Sequence, residues 1–90
     1  MAAKSSRDQG NWHVYIVRCN DKSLYTGITT DLSRRLDEHN NSPRGATYTR
    51  SRRPVTLVYS DTAINRSAAC RREREIKNLT KLAKEQLLLA

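Results

Sequence analysis

The sequence predicts an α+β fold, a small three-stranded antiparallel β-sheet flanked by helices in the order β-β-α-β-α-α. Three observations carry this expectation. Short runs rich in β-branched and aromatic residues, at 12–19, 24–28 and 55–60, read as strands. The first two are joined by only Asn20, Asp21, Lys22 and Ser23, a polar turn that makes them an antiparallel hairpin. Three other segments place Leu, Ile and Ala at helical spacing behind residues suited to capping, and such helices pack on a sheet.

In chain order, residues 1–11 read as a disordered polar leader, and residues 12–90 as one domain. The first strand, WHVYIVRC, starts at Trp12, which is expected to plug one end of the core. Thr30 or Asp31 caps a helix running to about Asn40. Leu32 and Leu36 share its inner face, while Arg35 and His39, four apart, are expected to project together from the edge of that face. ATYTRSRR (46–53) has no clear period and ends at Pro54. The third strand follows, with Tyr59 as a core residue. Asn65 or Ser67 caps a second helix reaching about Leu79, with Ala68, Ala69, Ile76 and Leu79 as its inward stripe. Thr80 caps a last helix, 81–89, that has Leu82, Leu87 and Leu88 to bury.

Composition narrows the function. Seventeen Lys+Arg stand against nine Asp+Glu, a formal charge of +8, and twelve of the seventeen are arginine. A surplus biased to the planar, phosphate-matching guanidinium points to nucleic acid. Arg44, Arg50, Arg52 and Arg53 with Tyr48 among them form a basic loop suited to backbone contacts and base stacking. On the second helix Arg71 and Arg74 face outward, and Arg72, near the apolar stripe, must snorkel. Ninety residues leave no room for separate cofactor and substrate domains. No apolar run approaches the ~18 residues of a membrane span, and the N-terminus lacks a signal-peptide core. Cys19 and Cys70 are far apart, which excludes a zinc finger; as free thiols, inert small hydrophobes, they fit a reducing cytoplasm. Gly10, Gly27 and Gly45 are too dispersed for a phosphate loop.

Five blocks in order carry a more specific signal: Val14-Tyr15-Ile16; Tyr25-Thr26-Gly27; TTDLSRRLDEH with Arg35 and His39; RGATYTRSRRPVTLVYS; and AACRREREIK with Ala69 four residues before Glu73. Together they resemble the GIY-YIG nuclease superfamily over residues 12–88, most closely its small single-domain bacterial members and the nuclease domain of structure-specific endonucleases. The pattern departs at His13, where the family has glycine, and at Thr26. The resemblance implies a DNA endonuclease dependent on one Mg²⁺ or Mn²⁺, with Glu73 as metal ligand and Glu75 as the other candidate. It implies Tyr15 as general base, Arg35 on the scissile phosphate, Tyr25 and His39 as orienting or proton-relay groups, and Gly27 among the residues that bind nucleic acid. A phenol near its ordinary pKa of about 10 is a poor base at neutral pH, so Tyr15 needs the metal and Arg35 to favour the phenolate. The same resemblance implies structure rather than sequence selectivity, a role in DNA repair or processing, and a targeting protein. The alternative is a catalytically silent nucleic-acid-binding module, for which His13 is the main argument.

Overall fold

In the computed structural model, which describes residues 11–89, strand β1 (Trp12–Arg18) lies between β2 (Leu24–Thr29) and β3 (Thr56–Ala63) and is antiparallel to both. Apart from Asn11, the expected leader lies outside the described residues. The central position explains why β1 is apolar at consecutive positions rather than alternating. Val14 and Ile16 pack on one face against Ala69 and Ile76 of helix α3 (Arg66–Lys77). On the other face Tyr15 and Val17 join Cys19 and Val55, with Leu32 and Leu36 of helix α1 (Leu32–Asn41) packed against them. Fully burying each such aliphatic side chain contributes about 1.5–3 kcal/mol, so this one strand anchors both layers. Trp12 and Tyr59 pack at the margin of the α3 layer.

Local chemistry sets the element ends. The hairpin turn closes through Cys19 N–H to the Ser23 carbonyl at 2.8 Å, with Lys22 in the left-handed region at φ 73°. Asp31 caps α1 by accepting from the Arg34 N–H at 3.0 Å, and Asn65 caps α3 through the Ala68 N–H at 2.8 Å. The Thr80 hydroxyl accepts from the Ala83 N–H at 3.1 Å at the start of the last helix. The Asn40 amide bridges α1 to the entry of β3, donating to the Val55 carbonyl at 3.0 Å and accepting from its N–H at 2.7 Å.

Four expectations need correction. A one-turn helix, α2 (Thr47–Arg50), stands in the stretch that has no sequence period. It is too short to show one, and Ala46 at its N-cap offers no capping side chain. Strand β3 runs to Ala63 rather than Ser60, because Asp61, Thr62 and Ala63 complete the ladder to Val14, His13 and Trp12 through backbone alone. Helix α3 ends at Lys77, which leaves Leu79 beyond its last turn and exposed instead of in the inward stripe. The last helix, α4 (Lys81–Leu89), packs through Leu87 and Leu88. Leu82, five residues earlier and so about 140° round the helix, faces solvent at 69% exposure.

Candidate active site

Tyr15 faces the α1 layer from the middle of β1, directly opposite Gly27 on β2. Its hydroxyl lies 2.7 Å from His39 Nε2. His39 is fully buried in the last turn of α1, and its Nδ1 lies 2.9 Å from the Thr49 hydroxyl. That hydroxyl has one proton and gives it to the Ala46 carbonyl at 2.9 Å. Donor counting then makes Nδ1–H the donor to Thr49 and leaves the Nε2 lone pair for the Tyr15 O–H. The Ala46 N–H, at 3.4 Å from Nδ1, is too distant to reverse this assignment.

The other candidates gather round the same phenol. Tyr25 sets its ring edge-on to His39 at 5.4 Å. The Arg35 guanidinium stands beside Tyr15 while donating to Glu38 Oε1 and to the Arg44 carbonyl, each at 2.9 Å. Glu73 reaches Tyr15 electrostatically from α3, pairing with Lys77 at 3.2 Å, whereas Glu75 pairs with Arg72 at 3.1 Å on the exposed side. Arg35 and His39 do not project together: His39 turns inward and only Arg35 reaches solvent. The His39 backbone is locked as well, since Arg53 Nε donates to its carbonyl at 2.6 Å.

Burial decides the protonation states. It pushes the Tyr15 phenol up to about 12, with Arg35 pulling back and the Tyr25 and Glu73 charges adding to the rise. Arg35 on its own does not overcome this desolvation. Burial likewise pushes His39 down to about 4, with Arg35 adding to the shift, so its imidazole is neutral at pH 7 and its Nε2 lone pair can accept the hydrogen bond from Tyr15. Cys19 is buried and its thiol raised by desolvation, as suits an unreactive core residue.

Several residues assigned to nucleic acid have work within the protein. The space over Gly27 is filled by Tyr15: a Cβ there would lie 2.5 Å from the phenol oxygen and 2.7 Å from Cζ. The close approach at this glycine is thus made by a side chain of the same molecule. Arg53 closes the C-terminus of α1, donating to the carbonyls of Glu38, His39 and Ser42. Arg52 donates to Asp21 and to the Tyr48 carbonyl and lies 3.9 Å over the Tyr48 ring. Tyr48 also stacks on Tyr25 at 5.9 Å. Arg44 and Arg50 remain exposed and available to a polyanion, as do Arg71 and Arg74 of α3. His13 sits in an extended strand between Thr29 and Thr62; Lys22 is the sole non-glycine with positive φ among the described residues, so the departure from glycine strains nothing. Thr49 and Asn40 were missed, because Thr49 carries no assigned role in its block and Asn40 belongs to no motif or periodic face.

Among the described residues no three of His, Cys, Asp and Glu cluster to cage a metal. A half-buried carboxylate with one lysine partner still fits a hard divalent ion that keeps most of its waters and takes its remaining ligands from substrate.

Residues 11–86 match the GIY-YIG catalytic domain. The chain is 55% identical over 83 residues to a UPF0213 protein of Desulfotalea psychrophila, covering 92% of this chain and 76% of that one. It is 51% identical over 75 residues to a UPF0213 protein of Staphylococcus epidermidis, covering 83% and 90%. The solution structure of the UPF0213 protein of Bacillus halodurans superposes with a TM-score of 0.56 at 45% identity, over 86% of this chain and 81% of that one. Among the described residues no helix is long and apolar enough to cross a membrane. With the family model matched over residues 11–86 and relatives about half identical over most of their length, the chain belongs to the GIY-YIG family, in its small UPF0213 branch.

Proposed function

We propose that the protein is a metal-dependent endonuclease that hydrolyses DNA phosphodiester bonds, selecting substrates by structure rather than sequence. The supporting observation is the buried chain from the Tyr15 hydroxyl through His39 to Thr49, with Arg35 and Glu73 acting on the same phenol. With its pKa raised to about 12, Tyr15 cannot wait as a phenolate at neutral pH. It can take a proton from the attacking water while handing its own to the neutral His39 Nε2, 2.7 Å away, so that no free phenolate accumulates. Arg35 turns from Glu38 to the scissile phosphate and holds it by a charge-assisted pair of hydrogen bonds. Tyr25 orients the imidazole by its edge contact. Glu73 would hold one Mg²⁺ or Mn²⁺, which when bound supplies charge neutralisation at the phosphate and acidifies water. As the water oxygen bonds to phosphorus the bond from phosphorus to the 3′-oxygen breaks, and the departing oxygen takes a proton from bulk water, giving a 5′-phosphate and a 3′-hydroxyl. Arg35 recognises phosphate, which carries no sequence information, and this favours structure selectivity in DNA repair or processing. A cytoplasmic setting and a partner that delivers the enzyme to its substrate complete the reading. The extended, unstrained backbone at His13 supports the enzyme reading over that of a silent binding module.

The test is cleavage of a labelled branched duplex with Mg²⁺ or Mn²⁺. Cleavage by the wild type, and loss of about 10²-fold or more in Tyr15→Phe, Arg35→Ala and Glu73→Ala, is expected. Cleavage indifferent to Tyr15→Phe and Glu73→Ala, or absent from every branched, bent and single-stranded substrate, refutes the proposal.

A further inference from the structure

Three buried side chains from three different elements share one line of hydrogen bonds: Tyr15 of β1, His39 of α1 and Thr49 of α2. All three are at most 2% exposed, so every proton in the line needs an acceptor within the protein. Two proton arrangements satisfy the imidazole. In the first, Tyr15 O–H donates to Nε2 and Nδ1–H donates to Thr49, whose own proton goes to the Ala46 carbonyl at 2.9 Å. In the second the line is reversed: Thr49 O–H donates to Nδ1, and Nε2–H donates to the Tyr15 oxygen. The Ala46 carbonyl does not choose between them, since in either case it accepts the Thr49 N–H at 3.1 Å and the Arg50 N–H at 3.0 Å. The tyrosine chooses. Among the described residues its hydroxyl has His39 and the Arg35 guanidinium as partners, and a guanidinium only donates. The reversed line would leave the phenol proton buried without an acceptor. One group pulls the other way: the Ala46 N–H, 3.4 Å from Nδ1, can bond only to a lone pair there.

We infer that Thr49 is a positioning residue of the hydrolytic site: acting through His39, its hydroxyl oxygen holds the imidazole in the Nδ1–H tautomer and keeps the Nε2 lone pair on Tyr15. Which ring nitrogen carries the proton is set by the bond the other nitrogen makes. In the opposite tautomer Nε2–H occupies a lone pair of the Tyr15 oxygen, and the phenol cannot pass its proton to the ring. For its effect on rate the inference rests on the nuclease reading; the tautomer itself does not. Thr49→Val removes the oxygen and leaves Nδ1–H without an acceptor while the Ala46 N–H stays beside it, so the ring changes tautomer. Thr49→Ser keeps the oxygen and should keep the tautomer.

The experiment reads the tautomer by long-range ¹H–¹⁵N correlation NMR of the full chain at pH 7, where His39, held down to about 4, is neutral. His39→Gln assigns its signals apart from those of His13. Wild type and Thr49→Ser should show a protonated Nδ1 and a bare Nε2, and Thr49→Val the reverse. Cleavage of the labelled branched duplex should fall about 10²-fold in kcat at unchanged KM in Thr49→Val, and Thr49→Ser should restore it to near the wild-type rate. A contact serving stability alone would leave the tautomer of folded Thr49→Val as it was. A bare Nδ1 in the wild type, an Nδ1–H tautomer that survives Thr49→Val, or a Thr49→Ser protein as slow as Thr49→Val would overturn the inference. Should Thr49→Val not fold, the wild-type spectrum and the Thr49→Ser rate decide: a protonated Nδ1 with near-normal cleavage upholds it, and a bare Nδ1 or a lost rate overturns it. A tautomer that follows Thr49 in a protein that cleaves nothing refutes the nuclease reading alone; cleavage indifferent to Thr49→Val refutes the role of Thr49 alone.

Discussion

Substituting Gly27 by alanine sets two effects of opposite sign against each other. Gly27 has no positive φ, so on backbone grounds alone alanine should stabilise the strand by about 0.5–1 kcal/mol. Its Cβ, however, would stand 2.5 Å from the Tyr15 oxygen and 2.7 Å from Cζ, where ordinary contact begins near 3.4 Å. The phenol must then retreat by roughly 0.9 Å in a packed layer, an overpacking strain of about 1–3 kcal/mol. A shift of that size either stretches the 2.7 Å bond to His39 beyond range or drives the ring into the imidazole. The forfeited buried hydrogen bond adds about 1 kcal/mol, for a net destabilisation of about 1–3 kcal/mol. A misplacement approaching 1 Å at the base should lower cleavage about 10²-fold. Urea denaturation of the wild type, Gly27→Ala, Tyr15→Phe and the double variant measures the coupling: without the hydroxyl the closest contact is gone, so the alanine should cost less when combined with Tyr15→Phe. A Gly27→Ala protein as stable as the wild type and equally active would refute the reasoning.

His39 makes the fold acid-sensitive in a defined window. Its folded pKa of about 4 lies below the ~6.5 of an unfolded histidine, so the folded state binds fewer protons. The stabilisation is full above pH 6.5 and lost as pH falls toward 4, by about 3 kcal/mol at most; His39→Gln should flatten urea midpoints across that range. Glu85, held down to about 2 first by its hydrogen bonds from Arg18 at 2.8 and 2.9 Å and then by Lys81, contributes stability above its ordinary pKa that vanishes as pH falls through about 2. Its NMR titration midpoint should return toward the ordinary range in Arg18→Gln. Asn40→Ala removes both bonds to Val55 and leaves a buried N–H unpaired, so urea denaturation should show a loss of about 2–4 kcal/mol.

What was legible in the sequence followed from short-range chemistry. Asp31, Asn65 and Thr80 could be read as caps because a cap acts within three residues. The strands were readable from β-branched runs, except the end of β3, where Asp61 has poor strand propensity and the segment is held by the ladder to β1. The family pattern named Tyr15, Tyr25, Arg35, His39 and Glu73, but not their protonation, which depends on burial that no spacing reveals. Arg52 and Arg53 illustrate the opposite error. A guanidinium reads the same in sequence whether it faces phosphate or the carbonyls at a helix end, and only the fold shows α1 ending against Arg53. Thr49 stood in a family block without a role, because its significance is a contact across ten residues to a histidine expected at the edge of its helix's inner face.

The two ends of the hydrogen-bonded chain from Tyr15 through His39 to Thr49 belong to elements of very different persistence. Tyr15 rides on a strand laddered on both sides, so its amide should exchange with solvent only when the whole domain unfolds. Thr49 belongs to a single uncapped turn, the kind of segment that opens locally and often. Each opening of α2 would release His39 Nδ1 and loosen Tyr48 from Tyr25 while leaving the base in place. The rhythm of the site is then set by one four-residue turn, and hydrogen exchange at Thr49 and Tyr15 would separate the two clocks by orders of magnitude.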